Sequence, residues 1–273
     1  MTVTDVFDTW CTEYSVTHEE LLAEGTGVWR DRLINRGLLI IKGLPPTLTD
    51  AEFHAVGSKF GQLWTSEEYI KASVGDPTLN KDIQSPVSYF KTKNTRWKDN
   101  DMKYHADMAH IGAKSLPFRA LYMVRSANNG SGDTYWLNAE VAYEQFTEVE
   151  KQYYKNVDIY QHFMYRPGTN ITKFPFLKTN PYSGKVSPRV NCYGPEHTWI
   201  HHVDRNGMKV EKMMAFMENL YRLCESKKDT FYKHHWSNGD ILVYDNWNGV
   251  HRRDPITFDP GEPDRLLKRL TFN

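Results

Sequence analysis

Apolar positions recur at helical spacing near the start of the chain and at strand spacing further on, and the first sixty residues read as helix, helix, strand, helix. Thr17 with Glu20, and Thr49 with Glu52, stand at the spacing where a hydroxyl and a carboxylate cap a first helical turn reciprocally. Gly25 and Gly61 are the expected stops. Between them Gly37-Leu38-Leu39-Ile40-Ile41-Lys42-Gly43 is a short apolar run bounded by glycines, which predicts a strand buried on both faces. Residues 62–104 are polar and aromatic without a helical period and read as long loops around one strand, Val87 to Lys91. Further on, Phe118, Ala120, Tyr122 and Val124 alternate with Arg119, Leu121 and Met123, a strand whose second face is also partly apolar. Residues 138–154 and 208–226 read as helices. In the second, Val210, Met213, Met214, Met217, Leu220, Tyr221 and Cys224 form one stripe, expected to pack in the core rather than bind a ligand. The segment 163–188 carries Pro167, Gly168, Pro175, Pro181, Gly184 and Pro188 and reads as a long loop of the kind that covers an active site. No repeat or linker divides the chain, so one domain over 1–273 is expected, with lid loops near 70–100 and 160–188.

Composition narrows the function more than the fold. At 273 residues the chain suits one large β-rich unit. Lys plus Arg balances Asp plus Glu at 34 each, so no global field draws it to nucleic acid or to an anionic membrane, and a charged partner must be recognised locally. The three cysteines lie far apart without a CxxC pair, which suits a reduced compartment and places the expected location in the cytoplasm. The longest aliphatic run is Leu38 to Ile41, and MTVTDVFDTW has no basic segment followed by an apolar stretch; neither a membrane span nor an export signal is expected.

Eleven histidines are spread along the chain, and a lone histidine is usually a surface or hydrogen-bonded core residue. Tyr104-His105-Ala106-Asp107 differs, because residues two apart on a strand share a face, so an imidazole and a carboxylate can reach one metal ion. A second copy, His202-Val203-Asp204, shows how weak the motif is alone. Two histidines and a carboxylate on one side of an octahedral ion leave three positions open, as non-haem iron(II) requires to bind a co-substrate and dioxygen together. The best third ligand is His251, which follows the turn signal Asn238-Gly239-Asp240 and the buried-strand run Ile241 to Tyr244. Several strands fit between His105 and His251. The stretch from His202 to His251 must also hold the helix near 208–226, which favours His105 and Asp107. The cluster His197, His201, His202 and Asp204 lacks HExxH and reads as structural, and His234-His235 as exposed or packed on Trp236. Tyr160, Phe163 and Tyr165 either line a pocket or pack the loop; Gly130 and Gly132 are too short a set to cradle a nucleotide.

In order, YHADMAH, GSGDTYW at 130–136, WSNGDILVYDNWNGVH at 236–251 and DRLLKRLTF at 264–272 resemble the taurine dioxygenase family of iron(II)/2-oxoglutarate oxygenases, from about Gly37 to the C-terminus. The resemblance implies a β-rich α+β fold, a double-stranded β-helix (distorted jelly roll) flanked by helices. It implies Fe(II) with 2-oxoglutarate and O2 as co-substrates, the metal on His105, Asp107 and His251. Thr134 and Arg265 then match the hydroxyl and arginine that hold the far carboxylate of 2-oxoglutarate. Arg269 matches an arginine nearer the metal that meets a substrate anion or the inner carboxylate. Asp101 stands where taurine dioxygenase has an asparagine contacting taurine, which argues for another substrate and suits an ammonium. Asp107, where halogenating relatives have Gly or Ala, argues against halogenation. The implied reaction oxidises, most simply hydroxylates, a C–H bond of a small anionic or zwitterionic molecule such as an amino acid, releasing succinate and CO2. Homo-oligomerisation stays open. The rivals are a non-catalytic jelly-roll binding module and a zinc hydrolase using the same three residues.

Overall fold

The computed structural model describes residues 1–64, 87–91, 102–107, 117–163, 172–188, 198–204, 213–257 and 261–273. Its largest element is a seven-stranded sheet. The chain enters it through an N-terminal hairpin, β1 (Thr2–Phe7) and β2 (Cys11–Ser15), and continues with β3 (Leu38–Lys42), β4 (Ser88–Lys91), β6 (Phe118–Arg125), β14 (Ile241–Asp245) and β16 (Leu266–Phe272). The spatial order is β1-β2-β3-β14-β6-β16-β4, with only β2 and β3 parallel. A four-stranded antiparallel sheet, ordered β13 (Phe231–His234), β7 (Thr134–Asn138), β15 (Gly249–Arg253), β5 (Met102–His105), packs against it.

The two periodicities of a strand explain how these layers are held. Leu39, Ile41, Ala120, Tyr122, Ile241 and Val243 point to one side of the large sheet and meet Leu21 of α1 (His18–Ala23), Trp29 and Leu33 of α2 (Thr26–Arg36), and Phe53 and Val56 of α3 (Asp50–Gly57). Leu38, Ile40, Leu242 and Tyr244 point to the other side, where Trp136 of the small sheet closes on them. The glycine-bounded run is therefore buried on both faces, as its pattern predicts. The outer face of the small sheet, Leu137 and Val250, is covered by Ala142 of α4 (Ala139–Glu144), Tyr154 of α5 (Glu148–Lys155), and Leu220, Tyr221 and Cys224 of α6 (Met213–Glu225). The order of layers is helix, sheet, sheet, helix.

Both expected capping boxes form, at Thr17 and Thr49. Four expectations change. The first helices are preceded by the β1–β2 hairpin. The helix expected over 138–154 is two helices, because Thr147 accepts from the Glu150 amide and starts a new first turn. The third helix ends at Gly57, ahead of Gly61. The segment 163–188 is not one loop: its described part holds β9 (Thr172–Pro175), which pairs with β8 (Val157–Phe163), and the hairpin of β10 (Leu177–Thr179) with β11 (Val186–Pro188). The expected lid near 70–100 lies outside the described residues apart from Val87 to Lys91. Among the described residues no helix is long and apolar enough to cross a membrane.

Candidate metal and co-substrate site

His105 ends β5 and His251 lies directly across from it on β15, which brings the two rings to a centroid separation of 4.2 Å. Asp107 is not on the strand, as the H-x-D pattern led us to expect, but in the turn just beyond it. Its place is set by Asn246, whose side chain accepts from the Asp107 amide at 2.9 Å and donates to the Asp107 carbonyl at 2.8 Å. One ligand atom from each of His105, Asp107 and His251 lies within 4.8 Å of the others, and all three residues are buried. The expected triad is thus assembled.

The surroundings prepare each donor. The Nδ1 of His105 stands 2.7 Å from the Lys103 carbonyl, which can only accept; that nitrogen therefore carries the hydrogen and leaves the Nε2 lone pair toward the cluster. His251 is stacked on Trp136, its cross-strand neighbour, at 5.8 Å, and meets the Tyr244 ring edge-on at 5.2 Å. Burial pushes the pKa of both imidazoles down, that of His251 to about 3 with help from the charges of His105, Arg119 and Arg269. Both are neutral donors at ordinary pH. Burial alone would raise the Asp107 carboxyl, but the Arg119 guanidinium, aided by His251, Arg269 and His105, holds it well below the usual carboxylate range. Arg119 Nε lies 2.8 Å from Asp107 Oδ2, and the Tyr244 hydroxyl donates to that same oxygen at 2.9 Å. Oδ1 faces His105 Nε2 at 3.8 Å. One carboxylate oxygen is held by the protein and the other is presented to the histidines.

Two residues along the pleat from the Trp136–His251 pair, Thr134 lies opposite Arg253. The Thr134 hydroxyl accepts from Trp236 Nε1 at 2.8 Å, and the Arg265 guanidinium carbon lies 5.9 Å from the Trp236 ring. Thr134 of β7 and Arg265, the residue just before β16, are therefore brought into one neighbourhood around Trp236. Arg265 is buried, its Nε has no hydrogen-bond partner among the described residues, and burial and Arg253 both lower its pKa. A cation in that state suits an anionic ligand. Arg269 acts electrostatically on Asp107, Tyr244 and His251. Its strand partner is Leu121 of β6.

Asp101 lies outside the described residues, as do His197 and Tyr165. His202 and Asp204 lie on β12 (Thr198–Asp204), which belongs with β8 and β9 to a three-stranded sheet that contains neither β5 nor β15. Tyr160 and Phe163 lie on β8. His234 is buried between Tyr232 and Asp240 with its ring 4.7 Å from Trp236, while His235 is exposed beside Asp133. Reading the sequence missed Arg119, Tyr244 and Asn246. Arg119 did carry a signal, since a guanidinium on the same strand face as Leu121 and Met123 demands a buried partner.

A model of the family described as taurine catabolism dioxygenase TauD, TfdA family matches residues 3–271. A solved taurine dioxygenase from Burkholderia xenovorans is similar in fold, with a TM-score of 0.69 at 17% identity over 99% of this chain and 90% of that one. PvcB from Pseudomonas aeruginosa gives 0.71 at 14% identity over 97% and 86%. AAD-2, solved with Mn(II) and N-oxalylglycine, gives 0.68 at 13% identity over 99% and 96%. No curated protein sequence matches the chain.

Proposed function

The chain belongs to the TauD/TfdA family of taurine catabolism dioxygenases, and on that premise we propose that it is an iron(II)- and 2-oxoglutarate-dependent dioxygenase acting on a C–H bond of a small molecule. The observation that carries the proposal is the buried His105, Asp107 and His251 cluster with Arg265, a buried cation whose Nε has no hydrogen-bond partner among the described residues, near the Trp236 ring that donates to Thr134. We read the two facing sheets as a double-stranded β-helix and the whole of 1–273 as one oxygenase domain, a reading the length of the family match supports. One of the similar structures is described as PvcB, an Fe, α-ketoglutarate dependent oxygenase from an isonitrile synthetic pathway.

The donor set fits iron(II), since two neutral imidazoles and one carboxylate leave half of an octahedron open. When bound, iron(II) supplies dioxygen activation coupled to decarboxylation of 2-oxoglutarate to succinate and CO2, the second oxygen atom passing to the substrate. His105, Asp107 and His251 hold the metal; Arg119 and Tyr244 keep one Asp107 oxygen away from it. Thr134 and Arg265 receive the far carboxylate of the co-substrate. The layers of Trp136, Tyr244 and Leu242 exclude water between the sheets. Arg269 is the residue for an anionic group on the substrate, and Asp101 for an ammonium, which together suit an amino acid or a related zwitterion.

The test is anaerobic reconstitution with Fe(II), then exposure to dioxygen with 2-oxoglutarate and a panel of amino acids, small carboxylates, sulfonates and phosphonates, following succinate. Iron-dependent succinate release stimulated by one class is expected, and alanine at His105, Asp107 or His251 should abolish both metal binding and turnover. Hydrolysis with zinc and no succinate with iron would return the zinc hydrolase reading.

A further inference from the structure

Arg252 and Arg253 are neighbours in sequence and opposite in role. Arg252, opposite Tyr135, lies over that ring at 3.6 Å and pairs with Asp254 at 2.8 Å on the outer side of the small sheet. The β7 register runs without a shift through His251–Trp136, Arg252–Tyr135 and Arg253–Thr134. By the pleat, Arg253 shares the inner face with His251, Trp136 and Thr134. It is 8% exposed and Arg265 is 5% exposed. Arg253 stands directly across from Thr134, whose hydroxyl accepts from Trp236 Nε1, and the Arg265 guanidinium carbon lies 5.9 Å from that Trp236 ring. Two buried guanidiniums near one hydroxyl, Arg253 across the strand pair from Thr134 and Arg265 beside the Trp236 ring that donates to it, form a site whose charge suits a carboxylate-bearing anion.

We propose that Arg253 is a second cationic anchor for the far carboxylate of 2-oxoglutarate, gripping it from the strand of His251 while Arg265 grips it from the residue just before β16 and Thr134 donates to it from β7. This rests on the 2-oxoglutarate reading above and extends it. The two-cation cup selects dianionic 2-oxo acids over monoanionic ones, and it ties the co-substrate to the strand that carries a metal ligand. Arg253 is thus a specificity-determining residue for the co-substrate.

The experiment is anaerobic calorimetric titration of the Fe(II)-loaded protein with 2-oxoglutarate and with 2-oxopentanoate, which replaces the far carboxylate by a methyl group. Arg253→Met should weaken 2-oxoglutarate by roughly tenfold or more, about 1.4 kcal/mol, and leave 2-oxopentanoate unchanged. Arg265→Met should do the same, and the double variant should bind the two acids alike. Unchanged 2-oxoglutarate affinity in Arg253→Met, or equal weakening of both acids, overturns the proposal. If the wild-type protein binds no 2-oxoglutarate, the co-substrate reading itself has failed, a result distinct from either. A second measurement does not depend on a variant folding: in protein labelled with 15N-arginine, 2-oxoglutarate should shift the Nε resonances of Arg253 and Arg265 together. A shift at Arg265 alone overturns the inference.

Discussion

A carboxylate that is to give one oxygen to a metal needs something to occupy the other, and at Asp107, a ligand in the proposed site, Tyr244 and Arg119 hold Oδ2. Removing the hydroxyl in Tyr244→Phe keeps the ring that packs against His251 and Trp136 but leaves Oδ2 to Arg119 alone. Partners behind a metal ligand typically contribute about 10–100-fold in affinity, and a loss in that range is expected in Co(II) or Fe(II) titrations of Tyr244→Phe. Equal affinity in the variant would reduce Tyr244 to a packing residue. Arg119→Met should be more severe, because it strands a buried carboxylate; breaking such a pair costs about 3–5 kcal/mol, to be read from urea denaturation of the metal-free protein. In the proposed co-substrate site, Arg265→Ala should raise the 2-oxoglutarate requirement more sharply than Thr134→Ala, which deletes one neutral donor. The donors themselves were legible from residue type and spacing. Tyr244 was not, and Arg119 signalled only that it needed a buried partner and not which one, because their contacts with Asp107 are made between residues far apart in the chain.

Among elements, the turns are what place the ligands. Asn246, just past the end of β14, clamps both sides of the Asp107 backbone, so the strand that lines the inter-sheet core also fixes a proposed metal ligand more than a hundred positions earlier in the chain. The helix α2 must stop sharply to feed β3 beside it. Gly37 makes that stop at φ +77°, and a Cβ there would lie 1.6 Å from Asn248 Nδ2. Gly37→Ala is therefore expected to destabilise by about 1–3 kcal/mol for the backbone alone, and more from the clash, as a lowered midpoint in thermal or urea unfolding. A variant as stable as wild type would show that α2 can end another way. The strands β3, β6 and β14 were readable because their apolar residues are consecutive or strictly alternating. The β1–β2 hairpin was not: Thr, Asp and Glu interleave its few apolar residues, and β1 is an exposed strand at the sheet edge. The β9, β10 and β11 strands hid among prolines and glycines that normally mark loops.

At the scale of the whole molecule, enclosing three histidines as neutral groups makes the metal-free fold acid-sensitive. Burial pushes the pKa of His105, His234 and His251 below the ordinary histidine value of 6.5, for His251 to about 3. The unfolded chain takes up protons as pH falls through about 6.5, whereas the folded protein refuses them, so stability held above that pH is lost progressively between about 6.5 and 3. Asp107 adds in the same direction at the acid end, since its folded pKa is also lowered and its contribution disappears only as pH falls below the ordinary carboxylate value of 3.8. Glu140 opposes this: burial raises its pKa above 4.5 against its bonds from Asn180 and Ser183, so its contribution falls as pH rises through that range. The expected outcome in urea denaturation of the metal-free protein is a stability that declines from pH 6.5 to 4.5. In His251→Gln the decline should be shallower by close to one proton, whatever the variant does to stability at pH 8. Bound metal occupies the lone pairs that those protons need, so loading should raise stability across this pH range in wild type and not in His251→Gln, with the onset still set near pH 6.5 by the unfolded chain. A slope that is the same in both proteins would mean that His251 is protonated or solvated inside the fold, and the buried neutral triad would have to be redrawn.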